Sequence, residues 1–443
     1  CYFNLDVCFL DNQRQGVYLM QESMTRRTFK GQLSTGLAAF ILCFALACIL
    51  WPLWSMLFKS IFSALAAPGL AAADPKLAGQ LIGVMVEGSF FWMVINPWIW
   101  LTLIMGNYGK TAFTPKQPYA GLWYTVVAWL TGIIAFFVII GFLGIWWKPF
   151  NLALLFTPKT AGEVQLAFQG WEVANFLALP VIMAQIPFVS LFQKWPFAGT
   201  SKQPTEGWGV LFFSTLVVVL VWIATIMPSF WNLSLGEEVI VSAPLGSFAA
   251  WCAFCQFFVI FFLMPAEGGE GYPMKLFARK QPYMGIAGLV IALAAGLLLP
   301  PLVRGIITPL NLSPGTPPDL LVASLGLSIV VTMLAWHHLF DDYPSARLVP
   351  NTAARILIRV AIWFVLGGVL GIIWIKLLGK IPFGANNMGM GYPTMGILAG
   401  QFAFLMTFLF FNTFFDKWPL VRKVPEAVNS DENITSQSVT VSS

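Results

Sequence analysis

The sequence predicts an all-α polytopic membrane protein of about ten transmembrane helices, with parallel internal repeats. Three observations carry this. The chain is 58% hydrophobic and 10% charged, whereas a soluble protein carries roughly 25% charge. Apolar runs long enough to cross a bilayer as a helix, about 20 residues, recur throughout. Runs such as residues 211–226 lack the apolar–polar alternation of a membrane barrel strand. Finally, three short motifs return in the same order. Lys116-Gln117-Pro118-Tyr119 recurs as Lys280-Gln281-Pro282-Tyr283, and Pro149-Phe150-Asn151-Leu152 as Pro309-Leu310-Asn311-Leu312. Leu191-Phe192-Gln193-Lys194-Trp195-Pro196 recurs as Leu339-Phe340-Asp341-Asp342-Tyr343-Pro344 and, in part, as Phe414-Phe415-Asp416-Lys417-Trp418-Pro419. Recurrence on this scale marks duplicated units.

Residues 1–32 form an N-terminal segment. Its first 22 residues lack the cationic start and apolar core of a signal peptide, and Met24-Thr25-Arg26-Arg27 reads as the natural beginning. Residues 1–23 are therefore expected not to be native. Helices are expected near 33–57, 80–105, 121–147, 172–193, 207–231, 244–266, 283–306, 319–340, 352–377 and 395–415. The segments between them hold the Pro, Gly, Lys and Asp that end helices. This divides the chain into a first four-helix repeat (33–206), a second (207–351), a two-helix unit (352–423) and a polar, disordered tail (424–443).

Charge tests the count. Ten spans place 17 of the 24 Lys and Arg on the side holding both termini, and 7 on the other. The positive-inside rule then puts both termini in the cytoplasm of a cell inner (plasma) membrane protein. Every motif copy keeps its side, as parallel repeats require. Phe-x-x-(Trp/Tyr)-Pro itself reads as a helix stop, an interfacial aromatic followed by a terminating proline.

Candidate chemistry is sparse. Glu87 lies about 10 Å inside the second helix at 1.5 Å per residue, where a carboxylate must pair, protonate or face water. Asn96-Pro97 breaks the same helix and frees backbone groups. Glu172 and Asn175 share a helix face, and Gln185, Gln256, Gln401 and Asn412 are further polar groups at membrane depth, expected mainly to join helices. The path candidates are Glu87, Asn96, Glu172, Asn175 and Gln256. His337 and His338 are the chain's two histidines. With Asp341 and Asp342 at i, i+4 they could relay protons or bind a metal. The Gly-rich acidic loop Pro265-Ala266-Glu267-Gly268-Gly269-Glu270-Gly271-Tyr272-Pro273 reads as a connecting turn, with a gate or ion-binding turn as the alternative. It is echoed by Gly391-Tyr392-Pro393, while Cys252-x-x-Cys255 reads as packing residues.

Two histidines are too few for a multihaem or haem–copper oxidase, and neither a phosphate loop nor an HExxH helix is present. No cofactor is expected. The net charge of +5 is loop charge and not a nucleic-acid footprint. The partners expected are the lipid bilayer and a small-molecule or ion substrate. The leading expectation is a secondary transporter or permease, proton- or cation-coupled. The alternatives are an integral membrane enzyme acting on a lipid or quinone at the cytoplasmic interface, and a non-catalytic scaffold subunit.

Overall fold

The computed structural model describes residues 25–226, 245, 248–377 and 396–423. The expectations for residues 1–23, 391–393 and 424–443 lie outside the described residues. The chain is mostly helical. Its principal helices are α1 (Gln32–Leu65), α2 (Pro75–Ile104), α3 (Tyr119–Trp146), α4 (Ala161–Ser190) and α5 (Thr205–Ala224). They continue as α6 (Phe248–Leu263), α7 (Tyr283–Ile307), α8 (Pro318–His338), α9 (Thr352–Lys376) and α10 (Ala399–Thr413). Eight are long and apolar enough to span a membrane, and α6 and α10 are shorter apolar helices. This is a multi-pass helical membrane protein.

Helix α2 begins at Pro75 and not near 80, and the largest shift of a start is in α4. Helix α4 begins at Ala161 and not near 172, because Thr160 caps it: its Oγ1 accepts from the Glu163 amide at 3.2 Å, and Glu163 Oε2 accepts from the Lys159 amide at 2.6 Å. This is close to a capping box. Glu172 and Asn175 consequently sit well inside a helix.

The helices sort by burial. The long odd-numbered ones are 22–28% buried, whereas α2, α4 and α8 are 67–83% buried, and α6 and α10 are buried along nearly their whole length. Helix α2 packs on α4, α4 on α6, α6 on α8 and α8 on α10. Trp98 Nε1 of α2 donates to Thr413 Oγ1 of α10 at 3.0 Å and closes the set. Five buried helices thus stand in a ring with the odd-numbered helices outside it. The outer helices present Ile41, Val138, Phe212, Leu298 and Val365 to the surroundings, as a lipid-facing belt requires. Pro97 and Pro187 interrupt the inner helices, and wide π-helical turns flank them over Phe91–Ile95, Ile99–Ile104 and Val181–Gln185.

Each inner helix ends in the same way. Two consecutive residues take left-handed backbone, followed by an aromatic: Gly106-Asn107-Tyr108, Gln193-Lys194-Trp195, Glu270-Gly271-Tyr272, Asp341-Asp342-Tyr343 and Asp416-Lys417-Trp418. An outer helix docks on each end. The Nε2 atoms of Gln117, Gln203 and Gln281 donate to the carbonyls of Phe414, Ile104 and Leu191, at 2.9, 3.3 and 2.7 Å. Each acceptor lies two residues before a left-handed pair. Gln32 Nε2 reaches Asp341 O at 3.4 Å.

Four residues beyond each of these glutamines stands a glycine. Gly36, Gly121, Gly207 and Gly285 lie against Phe340, Phe415, Met105 and Phe192 so closely that a Cβ would overlap the side chain. At the fifth end the exchange is inverted. Gly269 stands where the others have Phe or Met, and Arg359 of α9 holds the turn, donating to Gly268 O and Pro344 O at 2.8 Å each. Arg355 meanwhile binds both oxygens of Glu270 at 2.6 Å. At the same end of the ring, strand β1 (Thr25–Arg27) pairs antiparallel with β2 (Val421–Lys423), so the two terminal segments meet there.

Candidate functional site: an axial throat and its polar mouth

Counting back from the first left-handed residue of each inner helix exposes the axis. The seventh position is Ile99, Ile186, Leu263, Leu334 and Leu409, and the eleventh is Ile95, Ile182, Val259, Val330 and Leu405. All ten side chains line one small cavity of about 60 Å³. The four-residue spacing keeps both tiers on one helix face. The fourteenth position adds Leu179, Gln256, Leu327 and Phe402 to the same lining. Apart from Gln256 and the indole of Trp98, whose N–H is taken by Thr413, the wall is hydrocarbon and sulfur, with Cys255, Met183 and Met406 completing it. So small a chamber with such a wall holds no hydrated ion and stays dry.

At the end where the outer helices dock, the axis widens into a vestibule of about 3200 Å³. Its lining includes Trp98, Ile186, Leu263 and Leu334, which also line the throat. One turn beyond the seventh-position tier the inner helices stop being alike. Positions three and four before the left-handed pairs are Thr102 and Leu103, Val189 and Ser190, Ala266 and Glu267, His337 and His338, Asn412 and Thr413. Polar chemistry is concentrated on the three neighbouring helices α6, α8 and α10.

His337 Nδ1 lies 2.9 Å from Asp342 Oδ2, and its Nε2 lies 3.4 Å from Glu267 Oε2. His338 Nε2 lies 3.8 Å from the same oxygen, while its Nδ1 accepts from Asn412 Nδ2 at 2.7 Å. Glu267 Oε2 is buried and has no hydrogen-bond partner. Burial raises the Glu267 carboxyl above the ordinary glutamate range. His337 opposes that shift and Asp342 adds to it.

The i, i+4 pairs expected for this motif do not form. The helix has unwound by Leu339, and the left-handed turn redirects both acids. Asp342 returns to His337, whereas Asp341 pairs with Lys417 and, at 3.1 Å, with Arg27. Among the described residues no group of three or more His, Cys, Asp or Glu is arranged to hold a metal ion.

The other sequence candidates separate. Gln256 lines the throat. Glu87, Asn96, Glu172 and Asn175 line neither cavity. Glu87 is buried in α2. Asn175 Nδ2 donates to Val84 O at 2.8 Å and so ties α4 to α2. Asn96 is fully buried, and neither of its amide atoms has a hydrogen-bond partner. Gln185 accepts from Trp100 Nε1 at 2.8 Å. Gln401 bonds Ser324 and Ser328 and joins α10 to α8. The residues that sequence reasoning missed are the throat tiers and the central place of Glu267. Comparison with protein-family models, with curated proteins and with solved structures gives no match.

Proposed function

We propose that this chain is a membrane permease or secondary transporter whose solute path is the axis of the inner ring. The observation that carries the reading is that residues at one shared position on five helices line a single throat opening into a polar vestibule. A scaffold subunit has no need to align five helices about an open mouth, whereas a pathway does. We further infer that the smallest repeating unit is a two-helix hairpin, five of which surround the axis. The 4+4+2 division groups these hairpins two, two and one. Ten spans follow, with both termini at the vestibule end, and the charge bias of the loops makes that end cytoplasmic.

The throat is dry and narrow, so passage requires the tiers to part or the solute to shed water. Light scattering from proteoliposomes in isosmotic urea, glycerol, acetate and ammonium salts tests this. At least one solute should swell the vesicles faster than protein-free lipid does. Leu334→Trp and Leu409→Trp, which fill the throat, should return swelling to the lipid rate, while Leu298→Trp on the outer face of α7 should not. Swelling no faster than lipid for every solute would favour the scaffold alternative, and swelling indifferent to both throat variants would remove the axis as the path.

A further inference from the structure

We propose that Glu267 Oε2 and His337 Nε2 hold one exchangeable proton between them, and that through this pair proton uptake from the vestibule acts on the axial path. The second half of the proposal rests on the axial reading above.

The hydrogen-bond partners dictate the first half. The Asp342 carboxylate can only accept, so His337 Nδ1 carries a hydrogen and donates at 2.9 Å. A neutral imidazole carries one hydrogen, so its Nε2 is then a bare lone pair, and it faces Glu267 Oε2 at 3.4 Å. That oxygen is buried and accepts no hydrogen bond. Two acceptors held face to face repel unless a proton lies between them. The neighbouring ring does not relieve this, because Asn412 Nδ2 donates to His338 Nδ1 at 2.7 Å and Nε2 stays 3.8 Å from Glu267.

The neighbouring cations are already engaged by other carboxylates and leave the Glu267 oxygen to His337. Lys417 beyond α10 is engaged by Asp341, and Arg355 and Arg359 of α9 are engaged by Glu270. The proton enters from vestibule water, since Glu267, His337 and His338 all line the vestibule, and it leaves by the same route. Burial of the Glu267 carboxyl favours its protonated form.

Location gives the pair its leverage. Glu267 follows Leu263 by one turn, and His337 and His338 follow Leu334 by one turn. Both leucines belong to the throat tier that meets the vestibule. Loss of the proton sets Glu267 and His337 against each other across the ends of two adjacent inner helices, where the throat opens.

The chain has two histidines, so histidine-selective NMR of the full chain in nanodiscs resolves both rings, and infrared difference spectra report the carboxyl. One ring should titrate together with a protonated-carboxyl band that Glu267→Gln abolishes. Glu267→Gln should displace that ring's midpoint by about one pH unit or more, as for strongly interacting sites. His337→Gln should displace the carboxyl band in turn, which keeps the test decisive if one variant folds poorly. Histidine titrations identical in wild type and Glu267→Gln would overturn the shared proton. With the pair established, the pH profile of solute-driven swelling should shift in Glu267→Gln. An unchanged profile overturns the action on the path, while absent swelling with an intact coupled titration overturns the axial reading and leaves the proton pair standing.

Discussion

Gly285→Ala is the sharpest test of the shared docking geometry, because two effects of opposite sign compete there. Alanine in a helix interior is favoured over glycine by about 0.8–1.0 kcal/mol, which is an upper bound at Gly285 in the first turn of α7. At Gly285 the added Cβ overlaps the ring of Phe192, and overpacking of a well-filled contact costs about 1–3 kcal/mol. The expected net effect is a loss of up to about 2 kcal/mol. Gly368 of α9 has no atom within 4 Å of its would-be Cβ, so Gly368→Ala keeps the propensity gain and should stabilise by about 0.8–1.0 kcal/mol. The two variants should therefore differ by about 1–3 kcal/mol. Reversible unfolding in mixed micelles, read by tryptophan fluorescence, measures both on one scale. Phe192→Leu placed on Gly285→Ala should recover part of the loss, since contacting sites couple by about 0.5–3 kcal/mol. If Gly285→Ala stabilises as much as Gly368→Ala, the ring does not need the glycine and the common docking geometry is wrong.

Arg359→Met should lower unfolding stability by about 3–6 kcal/mol in the same micelle assay, because two charge-assisted bonds to buried carbonyls are lost at about 1.5–3 kcal/mol each. Lys275→Met, near the same turn, should cost far less, and equal losses would deny Arg359 its place in the α9 junction. Glu267 gives a pH prediction with a definite sign. Its folded-state pKa lies above the unfolded one, so its contribution is fully present below the ordinary glutamate range and is lost as pH rises through the folded value. Glu267→Gln should accordingly lose less stability than wild type between pH about 4.5 and neutrality, and a parallel decline of the two melting curves would refute the raised value.

The sequence made some of this legible and concealed the rest for identifiable reasons. Hydropathy and charge marked the membrane helices because apolar length is a bulk property. The repeated Lys-Gln-Pro-Tyr and Phe-x-x-(Trp/Tyr)-Pro copies are visible because they keep side chains. Of the two remaining inner-helix ends, Gly106-Asn107-Tyr108 keeps only the backbone and the aromatic, and Glu270-Gly271-Tyr272-Pro273 keeps the proline as well. Glycine takes the left-handed conformation without a Cβ penalty, and each of these two ends has one, Gly106 and Gly271, so the shape persists while the letters change. Gln32-x-x-x-Gly36 is hidden because its signal is a spacing and not a word, whereas Lys202-Gln203-Pro204 repeats the word and lacks only the tyrosine. The start of α4 was legible in Thr160-x-x-Glu163 and was overlooked. The throat was not legible. Ile186 or Leu334 resembles any other apolar residue in an apolar helix until the five left-handed turns supply a common origin for counting.

That common origin also separates framework from chemistry. Where the five inner helices agree, at the left-handed turns and the seventh and eleventh positions, they hold a ring together and close its centre with hydrocarbon. Such positions gain nothing from differing, because each packs against an equivalent neighbour. Three and four positions before the turns there is no such constraint, since all of these side chains except Thr102 and Thr413 line the vestibule. It is there that α6, α8 and α10 carry Glu267, His337, His338 and Asn412, while α2 and α4 carry Thr102, Leu103, Val189 and Ser190. A polar mouth on one side of an otherwise equivalent ring gives the axis a direction across the membrane and a preferred wall. Glu87 shows that inequality alone does not make a site. It too breaks the likeness, standing where the same count on α6 gives Trp251, but it lines neither cavity. A position that differs among the five and also lines a cavity satisfies both conditions, and Glu267 and His337 do so at the vestibule, 3.4 Å apart.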